Sequence, residues 1–288
     1  MKPTALLALL ILFPLSCLAQ QRADGLLIYG GDILTMSGPK PGYVEAVMVR
    51  DDRIVYVGQL KEAERYADKS TRRLDLHGRA LLPGFIDAHS HLLSYADTVD
   101  LADLHSPPVG SITSIPEMVS ALQRYAVQRP QGSWIVGAGY DQDQLKEKRH
   151  PTAADLDQAF PDRPVVLVHV SGHMLVANSE AMRIAGINAA SPDPAGGRII
   201  RVDGSKRPAG LMQEGAMMPF GALALKPPAL DIAIRNIQRA LKDYAAAGIT
   251  TANEGLLPEA RLQLLQTAAA RKALSLDVIA LPAAAYAQ

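Results

Sequence analysis

The sequence has almost no cysteine, few aromatic residues and no excess charge of either sign. Cys17 is the one cysteine among 288 residues, 5% of the residues are aromatic, and the formal net charge is zero. A single cysteine cannot form an intrachain disulfide. Balanced charge without a basic stripe, together with so few rings for stacking on bases, argues against a nucleic-acid partner. The 48% of hydrophobic and 20% of charged residues are typical of a globular protein, and 288 residues are enough for one large domain and one small one.

Residues 1–19 differ in composition from the rest of the chain. Lys2 supplies a positive charge, the apolar stretch after it is too short to span a bilayer, and small residues end the segment at Ala19. This pattern predicts a secretory signal peptide cut after Ala19, an exported periplasmic protein and no transmembrane anchor after cleavage. Two alternatives stay open: an anchor that is never cut, and a lipoprotein modified at Cys17. Cleavage would remove Cys17, so the remaining chain would have no thiolate nucleophile and no thiolate metal ligand.

The most informative segment is residues 82–91, which reads LPGFIDAHSH. The Pro-Gly pair followed by Phe and Ile predicts the start of a buried strand. Side chains two residues apart on a strand point to the same face, so Asp87, His89 and His91 are expected to project together. Two imidazoles on one face can hold a divalent metal. The alternative is a structural strand end with two hydrogen-bonded histidines.

Two regions on either side of this segment have different patterns. Residues 25–82 read as short strands, and the run from Gly30 to Asp32 predicts a turn between two of them. Residues 92–230 are rich in Pro and Gly and contain few strand candidates. We expect this second region to be a long insertion that folds as a small α/β lobe.

From Asp231 onward the pattern becomes a regular alternation of helices and strands. An apolar stripe at helical spacing after Asp231 predicts a helix that ends at Gly248. A strand over residues 249–252, a helix over residues 258–274 and a third strand over residues 276–281 follow. This succession fits parallel strands joined by right-handed crossovers.

Several segments together resemble one family. The run that ends at His91 closely resembles the first barrel strand of the amidohydrolase superfamily. Other segments are similar to its amidohydrolase-3 group, the YtcJ-like or N-substituted-formamide-deformylase-like proteins. These are residues 139–145, 151–157, 161–165, 169–173, 178–187, 196–199, 209–216 and 247–251. The resemblance covers nearly the whole chain after residue 19.

The resemblance implies an α/β fold. We expect a partial (β/α)8, TIM-like metallohydrolase barrel with an N-terminal β-sandwich and an inserted α/β lobe. The expected boundaries are a signal peptide over residues 1–19, a small, incomplete β-sandwich over residues 20–82, and the N-terminal part of the barrel over residues 83–288. The inserted lobe would occupy about residues 92–230.

The chemistry that the resemblance implies is metal-dependent hydrolysis of a non-peptide carbon–nitrogen bond in a small amide-type or formamide-type substrate. The cofactor would be a divalent metal, with Zn²⁺ the expected ion, because neutral imidazoles suit it. By resemblance, His89 and His91 are the metal ligands. His173, in a Ser-Gly-His turn, would line the substrate pocket, as would Tyr140 and Asp141 in a glycine-rich loop.

Other polar residues have a functional and a structural interpretation. Glu254, at the end of the second barrel strand, faces the catalytic end by position, and the alternative is a solvated strand end. Asp141 fits a helix cap equally well. Glu214 fits a first-turn helix carboxylate better than a site residue. His169 is either a hydrogen-bonded core histidine or a site residue, and His105 lies in a loop and carries no signal.

The sequence lacks the segments that supply the rest of the family's site. A family member also needs a bridging Lys, two further histidines and a catalytic Asp near the last barrel strand, and none of their motifs occurs. The catalytic residue is therefore unknown, and only three of eight barrel strands are found. We expect an N-terminal portion of a larger hydrolase. The alternatives are a catalytically inactive remnant or binding protein, and one half of a split enzyme that needs a complementing C-terminal half or forms a homo-oligomer.

Overall fold

The computed structural model describes residues 25–283, and the chain divides after Pro83 into two compact units. The described residues form a mixed α/β fold. The predicted signal peptide, with Lys2, Cys17 and Ala19, lies outside them. Within residues 25–283, no helix has the length and apolar character needed to cross a membrane.

The described part of the first unit, residues 25–83, is a five-stranded sheet with one short helix. Its elements are β1 (Leu26–Leu34), β2 (Tyr43–Arg50), β3 (Arg53–Gly58), α1 (Leu60–Ala63), a 3-10 turn (Glu64–Tyr66), β4 (Arg72–Asp75) and β5 (Ala80–Leu81). The order is β3-β2-β1-β4, antiparallel among β1, β2 and β3, whereas β4 and β5 both pair with β1 in parallel.

Apolar side chains lie on both faces of this sheet, because successive residues on a strand alternate between faces. Leu27 and Met48 pack under α1, while Ile33 and Leu76 form a cluster on the other face. Residues 25–83 contain one sheet, so the β-sandwich stays a prediction.

Strand β1 runs through the segment in which the sequence predicted a turn. Its pairing with β2 shifts register between Tyr29 and Ile33, which marks a β-bulge. Gly30 has a φ of 77°, and a Cβ there would lie 2.2 Å from a carboxylate oxygen of Asp75. Glycine therefore bends the strand at this point without ending it, and the prediction of two separate strands was wrong.

The described part of the second unit, residues 84–283, contains two sheets. Its elements, in chain order, are β6 (Phe85–Ser90), α2 (Leu92–Thr98), β7 (Ala102–Asp103), α3 (Ile115–Val127), β8 (Ile135–Tyr140), α4 (Ala153–Asp157), β9 (Val165–His169), β10 (Met174–Ala177), α5 (Ser179–Ile184), β11 (Gly197–Arg201), β12 (Pro208–Glu214), a 3-10 turn (Gly215–Met217), α6 (Met218–Leu223), α7 (Leu230–Ala246), β13 (Ile249–Leu257), α8 (Glu259–Ala270) and β14 (Asp277–Pro282).

The larger sheet forms a lobe with the order β11-β12-β10-β9-β8-β7. Strands β7, β8 and β9 are parallel, and the remaining pairs are antiparallel. Leu122 of α3 and Leu156 of α4 pack in one core cluster, and Met182 of α5 and Phe220 of α6 pack in another. The lobe therefore has its own hydrophobic core around both faces of its sheet.

The side chain of Asn178 links several segments of this lobe by hydrogen bonds. Its side chain is fully buried, and its Oδ1 accepts the backbone N–H groups of Val165 (2.9 Å) and Ala181 (3.0 Å). Its Nδ2 donates to the carbonyls of Phe160 (3.0 Å) and Arg163 (2.9 Å). One amide thus caps α5 and fixes the start of β9 against the preceding loop.

The smaller sheet has the order β14-β13-β6, with all three strands parallel. Helices α2, α7 and α8 pack together around Leu93, Ile237 and Leu265. Helix α7 ends as predicted, because Gly248 has a φ of 81° and its N–H donates to the carbonyl of Ala245 at 2.9 Å. Among the described residues, these three parallel strands form an open sheet and not a closed barrel.

Replacing Asn178 tests the role assigned to it in the lobe. Asn178→Ala leaves two carbonyls and two N–H groups without their partner inside the protein, so we expect a loss of about 3 kcal/mol or more in unfolding free energy. Chemical denaturation with far-UV circular dichroism measures the change. Glu180→Ala, which removes an ion pair with the exposed Arg183 on the same helix, should change stability much less. Equal effects of the two substitutions would contradict this account.

Candidate metal and substrate site

His89 and His91 lie at the carboxyl end of β6. His91 is the residue that precedes α2, with φ −134° and ψ 63°. The two exposed imidazoles meet edge to face, with ring centroids 5.0 Å apart and an angle of 87° between the ring planes. Asp87 accepts the backbone N–H of His89 at 3.2 Å, so its carboxylate orients the strand end. The structure therefore brings the two predicted ligands together on one side of the sheet.

Strand β13 holds the end of β6 in place. Asn253 donates from Nδ2 to the carbonyl of Ala88 at 2.7 Å, and Ser90 donates from Oγ to the carbonyl of Asn253 at 3.1 Å. A Cβ at Gly255 would lie 3.9 Å from Cε1 of His89 and 4.0 Å from Cε1 of His91. Both rings therefore lie beside Gly255.

The donor set beside Gly255 fits part of a metal site. Neither imidazole makes a hydrogen bond within residues 25–283, and Oδ1 of Asn253 is buried there without a partner. Imidazole nitrogen suits Zn²⁺ and similar ions. Within the same residues, no three His, Cys, Asp or Glu side chains lie close enough to hold a metal. The described chain thus offers two nitrogen ligands.

Glu254 is buried, only 3% exposed. Its Oε2 accepts the backbone N–H of Leu93, in the first turn of α2, at 2.9 Å. Burial raises the pKa of this carboxyl, against the lowering effects of the Leu93 hydrogen bond and of the nearby His91. The alternative of a solvated strand end was wrong, because α2 covers this end of β13.

A cavity of about 710 Å³ lies at these strand ends. The ionisable side chains that line it come from the residue after β6, from α2, β13 and α8, and from the lobe: His91, Tyr95, Glu254, Arg261, His105 and His169. Apolar side chains such as Leu93 and Leu257 complete the wall. The cavity therefore joins the strand end that carries the histidine pair to the edge of the lobe sheet.

Tyr140 and Asp141, which the sequence placed in the substrate pocket, are not among the residues that line this cavity. Tyr140 is fully buried in the lobe core. Its hydroxyl lies 3.2 Å from Nδ1 of His150, and burial raises the pKa of the phenol. Asp141 accepts the backbone N–H of Asp143 at 2.9 Å. In this structure the first supports the lobe core and the second a local turn.

His173 forms a pair that the sequence analysis did not anticipate. Its Nδ1 lies 3.1 Å from Oε1 and 3.2 Å from Oε2 of Glu214, and both side chains are largely exposed. Glu214 has a φ of 49°, unusual for a residue other than glycine, at the end of β12. Gly172 lines the cavity, and His173 follows it without being part of the lining. Only the pairing of β10 with β12 reveals this contact.

Two lobe histidines line the cavity in different ways. Both ring nitrogens of His169 are engaged, Nδ1 with Ser171 at 2.8 Å and Nε2 with Gln142 at 2.7 Å, and burial lowers its pKa. Of the two interpretations of His169, this arrangement supports that of a hydrogen-bonded core histidine. His105 has one ring nitrogen engaged within the described part of the chain, Nδ1, which lies 2.7 Å from Asp103. Sequence reasoning found no role for it, although the Asp-x-His spacing was the available signal.

Comparisons with known proteins agree with the sequence motifs. Residues 72–288 match a family described as the amidohydrolase family. An N-substituted formamide deformylase of Arthrobacter pascens is 31% identical over 84% of this chain and 44% of its own length. A putative amidohydrolase, YtcJ of Bacillus subtilis, is 32% identical over 77% of this chain and 41% of its own length. The chain spans less than half the length of these relatives.

Solved structures show a similar fold. An uncharacterized metal-dependent hydrolase from Pyrococcus furiosus has a TM-score of 0.60 and 23% identity, covering 90% of this chain and 50% of that one. Another from Pyrococcus horikoshii has a TM-score of 0.58 and 22% identity, covering 89% and 48%. At these identities the likeness concerns the fold alone.

The buried carboxyl of Glu254 predicts a pH dependence of stability. Because its pKa is raised in the folded protein, the folded state binds the proton more tightly than the unfolded state does. The cost of ionising this carboxyl appears as the pH rises above about 4.5 and levels off above the folded pKa. Glu254→Gln removes this cost, so its melting temperature relative to wild type should increase across that range.

Thermal unfolding from pH 4 to pH 8 measures this difference. Glu259→Gln, at an exposed position on α8, is the matched control and should follow the wild type at every pH. A difference between Glu254→Gln and wild type that stays constant with pH would contradict the raised pKa.

Proposed function

The chain belongs to the amidohydrolase family, and on this premise we propose that it takes part in metal-dependent hydrolysis of a non-peptide carbon–nitrogen bond. The proposed substrate is a small molecule of the amide or formamide type, as the name of the 31%-identical deformylase suggests. The observation that carries the proposal is the pair His89 and His91, which lie together at a strand end beside a cavity.

The strand arrangement supports a finer proposal about the fold. The parallel strands β6, β13 and β14, with helices packed against them, would be three strands of a (β/α)8 barrel. In such barrels the functional groups lie at the carboxyl ends of the strands. His89, His91 and Gly255 all lie at such ends. The β-sandwich, the export signal over residues 1–19 and the periplasmic location belong to the same proposal.

The chain's own residues would position the reaction. His89 and His91 would hold a divalent metal, with Zn²⁺ preferred by the imidazole ligands, while Asp87 fixes the backbone at His89. A metal bound there supplies Lewis-acid polarisation of the scissile carbonyl. Glu254, buried and bonded to the N-terminus of α2, keeps that helix against the strand ends. The apolar wall of the cavity would exclude water from the bound amide.

We keep two further candidate functions, because within residues 25–283 no three His, Cys, Asp or Glu side chains lie close enough together to hold a metal. One is a binding protein that keeps the cavity without the hydrolysis. The other is a split enzyme, in which a complementing polypeptide or a second copy of this chain supplies the remaining ligands. Each predicts a different result when metal binding and turnover are measured on the same protein.

Metal binding tests the ligand assignment. Titration of the full, metal-free chain with Co²⁺, followed by visible absorption and histidine NMR signals, should show binding that involves His89 and His91. His89→Ala and His91→Ala should each weaken binding by at least about tenfold, since loss of even an outer partner costs this much. The control is His77→Ala, which removes a histidine from the first unit and should change nothing. Binding that survives both site substitutions would refute the assignment.

Turnover separates the three functions. The chain is loaded with Zn²⁺ and incubated with N-butylformamide, and formate is followed by proton NMR. Hydrolysis by this chain alone would give formate release that requires both Zn²⁺ and His91. Metal binding without release would favour the binding protein. Release that appears only after a candidate complementing polypeptide is added would favour the split enzyme.

A further inference from the structure

A histidine of the lobe lines the cavity, and one of its ring nitrogens makes no hydrogen bond within the described residues. His105 lies just after β7 and lines the same cavity as His91 and Glu254. Its side chain is 29% exposed, while that of its partner Asp103 is 70% exposed. The lobe therefore contributes a titratable group to the cavity that carries the proposed metal ligands.

Asp103 decides which nitrogen of His105 is available. The carboxylate accepts the backbone N–H of His105 at 3.0 Å and lies 2.7 Å from Nδ1 of the ring. An ionised carboxylate can only accept, so Nδ1 carries the proton. In the neutral ring, Nε2 is then an acceptor with a free lone pair. No hydrogen bond to this Nε2 is made within residues 25–283.

Gly139 makes room for the ring in this position. A Cβ at residue 139 would lie 2.3 Å from both Cε1 and Nε2 of His105, and Gly139 has a φ of 93°. The ring therefore rests directly on the backbone of β8, in a place that any other residue would block. Gly139 and its neighbour Ala138 line the cavity together with His105.

The other charged and aromatic groups that line the cavity are already engaged. Tyr95 donates to Asp243 at 2.8 Å, and Arg261 pairs with Asp97. Glu254 accepts from the backbone of α2, and both nitrogens of His169 have partners. Besides His91, assigned to the metal, His105 is the one histidine of the lining whose ring has a nitrogen without a hydrogen-bond partner among residues 25–283.

We propose that Nε2 of His105 binds the substrate by accepting the N–H of a secondary amide. This assignment rests on the proposed function and adds a substrate class to it. A mono-N-substituted amide or formamide carries an N–H that this acceptor can hold, whereas a di-N-substituted one does not. Asp103 acts as a positioning residue, because it keeps the Nδ1 proton in place and leaves the lone pair on Nε2.

A matched pair of probes tests the assignment by binding, without turnover. N-butylformamide has the N–H, and N-butyl-N-methylformamide lacks it. Both are titrated into the full metal-free chain and followed by the histidine Cε1–H signals and by saturation-transfer NMR. We expect the wild type to bind N-butylformamide about fivefold more tightly, the usual worth of one hydrogen bond. Only this probe should shift the His105 signal.

Substitutions distinguish a direct contact between His105 and the probe from an effect on the fold. His105→Leu should reduce the discrimination between the two probes to less than about twofold. His105→Gln, whose amide oxygen can take the place of Nε2, should restore part of it, and Asp103→Asn should weaken it. His77→Leu is the matched control, because Asp75 accepts the backbone N–H of His77 at 2.8 Å in the same Asp-x-His arrangement, yet His77 does not line the cavity. Thermal melts of all variants confirm folding.

The outcomes of these experiments distinguish the substrate contact of His105 from the metal-ligand role of His89 and His91. Equal binding of the two probes to wild type, or no binding of either, overturns the role of His105 even where the Co²⁺ titration supports His89 and His91. Discrimination that survives in His105→Leu also overturns it. Discrimination that depends on His105 in a chain that does not bind Co²⁺ would support this substrate contact while the proposed metal site fails.

Discussion

The candidate site depends on the parallel pairing of β6 with β13 and on the buried carboxyl group of Glu254 on β13. Glu254 lies opposite Ser90 in the register, and its side chain bonds the first turn of α2. A buried carboxyl is costly unless it is hydrogen-bonded, so this contact fixes where α2 starts. His91 immediately precedes that helix, and its position follows from the same contact.

The rest of the second unit extends this arrangement into a cavity. Helices α2, α7 and α8 share one apolar cluster behind the three parallel strands, so the strand ends are held on one side. The lobe supplies the other wall through the ends of β8 and β9, and Asn178 holds the start of β9 in place. The cavity is therefore built by elements that lie far apart in the sequence.

Hydrogen bonds decide what each histidine can do, because an imidazole has only two nitrogens to offer. His169 uses both inside the lobe and supports its core. His105 uses one, and the proton on Nδ1 leaves Nε2 as an acceptor. Neither ring nitrogen of His89 or of His91 makes a hydrogen bond within residues 25–283. Within the described residues the chain therefore has histidines with no, one or two hydrogen-bonded ring nitrogens. One of each kind lines the cavity: His91, His105 and His169.

The sequence by itself determined what depends on local periodicity. It predicted α7, its end at Gly248, the strands now seen as β13 and β14, and the shared face of His89 and His91, because alternation along a strand is a local property. Tertiary structure decided the rest. Glu254 is buried because α2 covers it, Tyr140 points into the lobe core, and His105 reaches the cavity because Gly139 leaves room. Burial depends on which distant segments pack against a residue, and periodicity along one segment does not contain that information.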